Sequence, residues 1–279
     1  MSEANDKPVP VTTSLEPEYH DQQRRLYREV LGLLNQLPVP YAVSGAFALQ
    51  HHTGIWRDTK DLDLFLTSED VGRALEALAA AGLECKISDP VWLAKAHRGE
   101  FFVDLITGMS NAVIVVDKSW LARGAAAVVV GVETKVLAAE ELIASKLFVT
   151  RRERFDGADI AHIIYGTAGK LDWDRVLELA AENWEMLLWA LLLFRFVYPA
   201  QTSYVPARVW DDLIGRFISV IKNPDPKARF RGSLIDERQF AIDIEEWRLD
   251  NVLAEYRARR NSKLPSLIAD RTAADEKAS

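Results

Sequence analysis

The run KDLDLFLT, residues 60–67, sets the narrowest limit on what this chain can fold into. It alternates with period two, so an extended strand carries Asp61, Asp63 and Phe65 on one face and Leu62, Leu64 and Leu66 on the other. The leucine face demands a core. The aspartate face sets two carboxylates side by side, where they repel each other and raise one pKa unless a cation is supplied. Carboxylates in a buried strand need a basic side chain or a metal as partner. Arg57 and Lys60 are near enough in sequence for an ordinary ion pair. The other candidate is Mg²⁺, which takes a few carboxylates together with substrate phosphates.

A second apolar run, FFVDLIT, carries Asp104 between Val103 and Leu105 and raises the same question. Three acids on neighbouring strands would hold two metal ions roughly 3.5–4 Å apart, a geometry suited to in-line phosphoryl or nucleotidyl displacement. In that scheme Asp61 and Asp63 bridge the metals, while Asp104 ligates one of them and accepts the proton of an attacking hydroxyl. Upstream, VSGA puts Ser44 and Gly45 at a strand-to-helix junction. Glycine permits close backbone approach there, and N–H groups at a helix start favour phosphate.

The rest of the pattern gives an α+β fold. Apolar positions keep a helical period over 21–37, and Pro38 and Pro40 then stop the helix before a short strand at 41–44. SEDVGRALEALAAAG reads as a helix with Ser68 as its cap. LECKIS, EFFVDLIT, NAVIVV, AAVVVGV and TKVL read as strands. Helices are expected over 138–152, 157–165, 173–197, 207–221 and 244–260. The chain thus divides into a disordered lead (1–20), a mixed-sheet domain flanked by helices (21–137), an all-helical C-terminal domain (138–267) and a disordered tail (268–279).

Composition excludes some functions. A net charge of −7 argues against coating nucleic acid by bulk electrostatics. One basic stretch, KNPDPKARFRG, reads either as a connector or as a local contact to a nucleic-acid backbone. The single cysteine, Cys85, forms no internal disulfide and anchors no thiolate zinc site alone, which fits a cytoplasmic location. The apolar stretch MLLWALLLFRFVYP is too short to span a membrane and is interrupted by Arg195, so it reads as a buried helix.

The order of strand, Ser44-Gly45 and helix, then RDTKDLDLFL, then an isolated strand aspartate, resembles the DNA polymerase β-type nucleotidyltransferase superfamily. Within it, the chain is similar to the minimal and AbiEii-type nucleotidyltransferases of bacteria, several of which are type IV toxins. A further match lies in AAEELIASKLFVTRRERFDGADIAHII, where that group has a Glu, a Lys five residues on, basic residues and an Asp. The matching positions are Glu141, Lys146, Arg151 or Arg154, and Asp159. The resemblance implies nucleotide binding by Ser44, Gly45, Arg57, Lys146 and Asp159, with Mg²⁺ or Mn²⁺ held by Asp61, Asp63 and Asp104. It implies an NTP substrate and a hydroxyl acceptor on RNA such as tRNA, on a protein or on a small molecule, together with an antitoxin partner if the chain is a toxin. Two positions depart from the pattern: Ala46 stands where Ser or Gly is usual, and His162 where an acid is common. Ala46 keeps open the alternative of a catalytically silent relative that binds nucleotide or a protein.

Overall fold

The computed structural model describes residues 20–260. Residues 1–19 of the expected lead and the whole expected tail (268–279) lie outside the described residues. Helix α1 (Asp21–Asn35) buries Leu26, Tyr27, Val30, Leu31 and Leu34 along one stripe. Strand β1 (Tyr41–Val43), helix α2 (Gly45–Thr53) and strand β2 (Asp61–Leu66) follow. Next come α3 (Val71–Ala80), β3 (Glu84–Asp89), β4 (Leu93–Arg98) and β5 (Phe101–Ile106). A short helix, α4 (Lys118–Ala122), leads into the hairpin of β6 (Ala125–Val129) and β7 (Val132–Val136).

These seven strands form one mixed sheet in the order β3-β4-β5-β2-β1-β7-β6. Strand β2 lies in the middle, antiparallel to β1 and parallel to β5. The alternation in DLDLFL does what period two requires. Leu62, Leu64 and Leu66 are fully buried, beside the equally buried Val103 and Leu105 of β5. The aspartates emerge on the opposite face. The fold is α+β, as the patterning implied.

The chain turns helical after β7. Helix α5 (Ala139–Lys146) is buried at every position and packs against α2. The hairpin of β8 (Thr150–Arg151) and β9 (Arg154–Phe155) follows, then α6 (Gly157–Gly166) and α7 (Trp173–Ala180). The remaining helices are α8 (Trp184–Val197), α9 (Ala207–Lys222), α10 (Gly232–Ile235), α11 (Ala241–Glu245) and α12 (Val252–Ala258). Among the described residues, no helix is long and apolar enough to cross a membrane.

Several expected elements differ. The helix expected over 138–152 stops at Lys146, and RRER forms a hairpin turn instead of a helix end. The β-branched Val149 and Thr150 favour the extended form, and the Asp156 N–H closes the hairpin on the Val149 carbonyl at 2.8 Å. NAVIVV is a turn with one bridge, Gly108 to Val115, because the Asn111 side chain takes the Val113 N–H and Ala112 adopts a φ of 59°. Strand β4 was not expected, since its buried apolar residues are only Leu93, Ala94 and Ala96. The long helix over 173–197 breaks at Ala181, whose φ is 44°. The expected 244–260 helix is likewise interrupted, between α11 and α12. Helix α3 starts at Val71, and Ser68 does not cap it: the Thr67 hydroxyl bonds Asp70 instead. On α8 only one face is core: Leu187, Leu188, Leu191 and Phe194 are buried, while Trp189, Leu192 and Phe196 are exposed.

Leu64→Ala removes a fully buried side chain from the central strand. It is expected to cost about 2–5 kcal/mol, read as a lower midpoint in chemical denaturation with an unchanged slope.

Candidate active site

The parallel register of β2 and β5 pairs Asp63 directly with Asp104, and Asp61 stands two residues away on the same face. Carboxylate oxygens of all three lie within 4.8 Å of one another. They form one wall of a cavity of about 420 Å³, also lined by Ser44, Gly45, Ala46, Arg57, Lys146 and Arg154.

Each acid has its own support. The Thr59 hydroxyl donates to Asp61 Oδ1, and the Thr59 carbonyl accepts from the buried Gln23 of α1 at 2.6 Å. Lys95 of β4 lies opposite Asp104 and reaches its two oxygens at 2.7 and 2.9 Å. Among the described residues, Asp63 has neither kind of help. Burial and the charges of Asp61 and Asp104 outweigh the pull of Lys146 and Arg154, and its carboxyl is pushed up to about 7. Burial also raises Asp104, against the attraction of Lys95.

Ser44 and Gly45 bring the start of α2 to this wall. The Ser44 N–H donates to the Asp63 carbonyl at 2.8 Å, tying helix start to strand. Gly45 has a φ of +57°, and a Cβ there would overlap Asp63 Oδ2 and stand 2.9 Å from its Cγ. Glycine is needed for both reasons. The first N–H groups of α2 lack intrahelical partners by construction, so this corner offers donors to an anion.

The opposite wall is cationic. Lys146 is buried at the end of α5, with Nζ 2.9 Å from Asp156 and 2.7 Å from Asp159. Arg57 pairs with the other oxygen of Asp159. Arg154 forks onto Asp156 with both contacts at 3.1 Å. Burial disfavours the charge of Asp156, but Lys146 and Arg154 prevail and hold it below the usual carboxylate range. Three cations against two acids leave this wall positive, and Lys146 and Arg154 are near enough to the triad to act on Asp63.

All eight sequence-derived site residues line this one cavity. Arg151 and Arg154, between which the resemblance left the match open, both line the cavity. Arg154 is close enough to the triad to feel the charges of Asp63 and Asp61, whereas Arg151 bonds the Ser110 hydroxyl at 2.5 Å. Glu141 turns away: it is fully buried and paired to Arg175 at 2.9 Å and Arg123 at 3.4 Å, locking α5 to α7 and α4. His162, half-buried next to Arg57 and Asp159, has its pKa lowered by partial burial and by Arg57. Sequence reasoning missed Lys95, Thr59 and Asp156. Thr59 lay inside the quoted RDTKDLD and Asp156 beside the quoted basic run, but Lys95 gave no local signal. Two of the four basic residues of the connector are paired: Arg229 with Asp250 and Glu255, and Arg231 with Glu185. Cys85 is half-buried, with its thiol pushed up to about 11 by burial.

Three carboxylates on paired strands next to a glycine-started helix are the features on which the resemblance to nucleotidyltransferases of the DNA polymerase β type rests. A family model described as "Nucleotidyl transferase of unknown function (DUF2204)" matches residues 23–185, and the chain belongs to that family. No curated protein matches the sequence. Among solved structures, the chain is similar to the antibiotic-resistance factor ANT(2'')-Ia, at 17% identity over 64% of this chain and 94% of that one, with a TM-score of 0.43. It is also similar to an antigenic nucleotidyltransferase-like protein from Paracoccidioides brasiliensis, at 16% identity over 68% of this chain and 96% of that one, TM-score 0.43. A third is the lincosamide antibiotic adenylyltransferase LnuA, at 14% identity over 53% of this chain and 98% of that one, TM-score 0.38.

Two outcomes follow from this geometry. Folded Asp63 keeps its proton to about pH 7, whereas in the unfolded chain it ionises near 3.9. The unfolded state therefore binds fewer protons in that window, and the Asp63 contribution lowers stability as pH rises through it. Asp63→Asn should remove this penalty, giving a Tm gain over the metal-free wild type that is near zero at pH 4 and on the order of 5 °C at pH 8. Gly45→Ala should displace Asp63 and abolish divalent-ion binding, measured by Mn²⁺ titration, while circular dichroism stays native.

Proposed function

We propose that this chain transfers a nucleoside monophosphate from an NTP to an acceptor hydroxyl, with Asp61, Asp63 and Asp104 as its catalytic carboxylates and a bound divalent cation. The observation that carries this reading is the crowding of three carboxylates on paired central strands, with Asp63 lacking a salt-bridge partner among the described residues. Hard oxygen donors in such a set fit Mg²⁺ or Mn²⁺. When bound, the cation would neutralise phosphate charge and polarise the phosphoryl centre. Asp61 and Asp63 would hold it, with Thr59 fixing the angle of Asp61.

The protein's own groups account for the remaining work. The start of α2, at Ser44 and Gly45, offers N–H donors to the phosphates. Lys146, Arg57 and Arg154 supply positive charge on the far wall, and Asp159 and Asp156 hold these cations in place. Because Lys146 is tied to two aspartates, it would act on the triphosphate as part of this fixed network, not as a free ammonium. Asp104 would accept the proton of the attacking hydroxyl, in keeping with a pKa that burial raises. The division at residue 138 belongs to the same reading: 21–137 contributes the carboxylates, and 138–267 contributes Lys146 and Arg154.

The resemblance carries three acceptor classes: RNA such as tRNA, protein and small molecules. Labelled NTPs incubated with total RNA, cell extract and purified small hydroxyl compounds would test transfer across them. A toxin role would appear as a partner protein that suppresses that transfer. Asp63→Ala is expected to lower transfer at least about 10³-fold, with native circular dichroism and loss of Mg²⁺ dependence. Undiminished transfer by this variant would refute the assignment. Nucleotide binding without transfer to any acceptor would favour the catalytically silent alternative.

A further inference from the structure

Asp104 differs from its two companions in already having a cation. Lys95 and Asp104 are direct partners across the antiparallel β4–β5 pair. The ammonium spans both carboxylate oxygens, at 2.7 and 2.9 Å. It also sits over the Phe102 ring, 4.3 Å from the centroid, in a cation–π contact that helps fix it. Only about a quarter of the Lys95 side chain is exposed, at 26%. Lys95 reaches Asp104 from the β4 side and does not line the cavity. Among the described residues, neither Asp61 nor Asp63 has a salt-bridge partner. The three carboxylates are therefore unequal: two face the cavity without a paired cation, and one has both oxygens engaged by a fixed ammonium.

A divalent ion ligated by Asp104 would have to sit close to that ammonium, and two like charges at such range repel strongly where water is scarce. We infer that Lys95 takes the place of a second divalent cation at Asp104, so that without nucleotide the triad holds one divalent ion, through Asp61 and Asp63. This rests on the reading of the triad as a metal site. It makes Lys95 a positioning residue, acting through Asp104: it keeps that carboxylate oriented and anionic while leaving its role at the acceptor hydroxyl free of a metal bond.

The test counts Mn²⁺ bound to the full chain without nucleotide, by the electron paramagnetic resonance of free ion in a titration. Wild type is expected to bind one ion. Lys95→Met, with its fold checked by circular dichroism, is expected to bind two, and Lys95→Arg to return to one because it keeps a cation at Asp104. The second ion should vanish again when Asp104→Asn is added to Lys95→Met. Two ions in the wild type, or one in Lys95→Met, would overturn the inference. Should Lys95→Met fail to fold, Asp104→Asn alone decides. Its stoichiometry should stay at one, with affinity reduced by less than about tenfold, roughly the effect of one screened charge; loss of binding would overturn the proposal. An absence of Mn²⁺ binding in every variant would instead bring down the metal-site reading itself. One ion in both wild type and Lys95→Met would leave that reading standing and remove only the role of Lys95.

Discussion

Electrostatic repulsion among Asp61, Asp63 and Asp104 is the constraint around which the rest of this structure is arranged. Three carboxylates this close are costly in a half-buried setting. They persist because the leucines of the same strand are fixed in the core. Leu62, Leu64 and Leu66 are fully buried, and a register slip by one residue would send them to the cavity and the aspartates into the core. The hydrophobic effect therefore enforces an arrangement that electrostatics opposes. The surrounding elements relieve that opposition unevenly: a hydroxyl for Asp61, an ammonium for Asp104, and only distant cations for Asp63.

The uneven relief gives the cavity its chemistry. One wall carries carboxylates that attract a cation, and the other carries Lys146, Arg57 and Arg154, anchored by Asp156 and Asp159. A phosphate chain with a bound divalent ion complements both walls at once. Neither wall is complete in sequence. Strand residues supply the acids, while the facing cations come from the end of α5, the turn before β2 and the small β8–β9 hairpin. Glu141, fully buried with Arg175 and Arg123, clamps α5 to its neighbours, and in this way sets where Lys146 projects.

How much of this was legible in the sequence depended on the range of each signal. Alternation in DLDLFL and FFVDLI is a local pattern with a rigid consequence, so the strands, the sharing of a face by Asp61 and Asp63 and the overall α+β class could all be read directly. The glycine at position 45 was visible as a junction residue, but its contact with the Asp63 carboxylate requires the fold. Strand β4 carries too little apolar weight to announce itself, so the pairing of Lys95 with Asp104 was hidden along with it. RRER misled for a physical reason: a basic run after an amphipathic helix looks like a helix end, yet two β-branched residues and the pull of Asp156 on Arg154 and Lys146 make it a hairpin. Alternation was therefore readable, while the pairing of Lys95 with Asp104 across β4 and β5 was not.

The position of Ala46 can now be weighed against the rest of the site. A hydroxyl at that position would add one phosphate contact, whereas the backbone donors of the α2 start depend on Gly45 and on the bond from the Ser44 N–H to the Asp63 carbonyl. Those features, the three carboxylates and the opposing cations are all present. The loss of a single neutral hydrogen bond costs on the order of 1 kcal/mol, about a factor of five in rate. Displacing a carboxylate from the triad would forfeit several kcal/mol of charge stabilisation. On that scale, under the proposed transfer, the substitution at Ala46 weighs far less than any change to the three carboxylates.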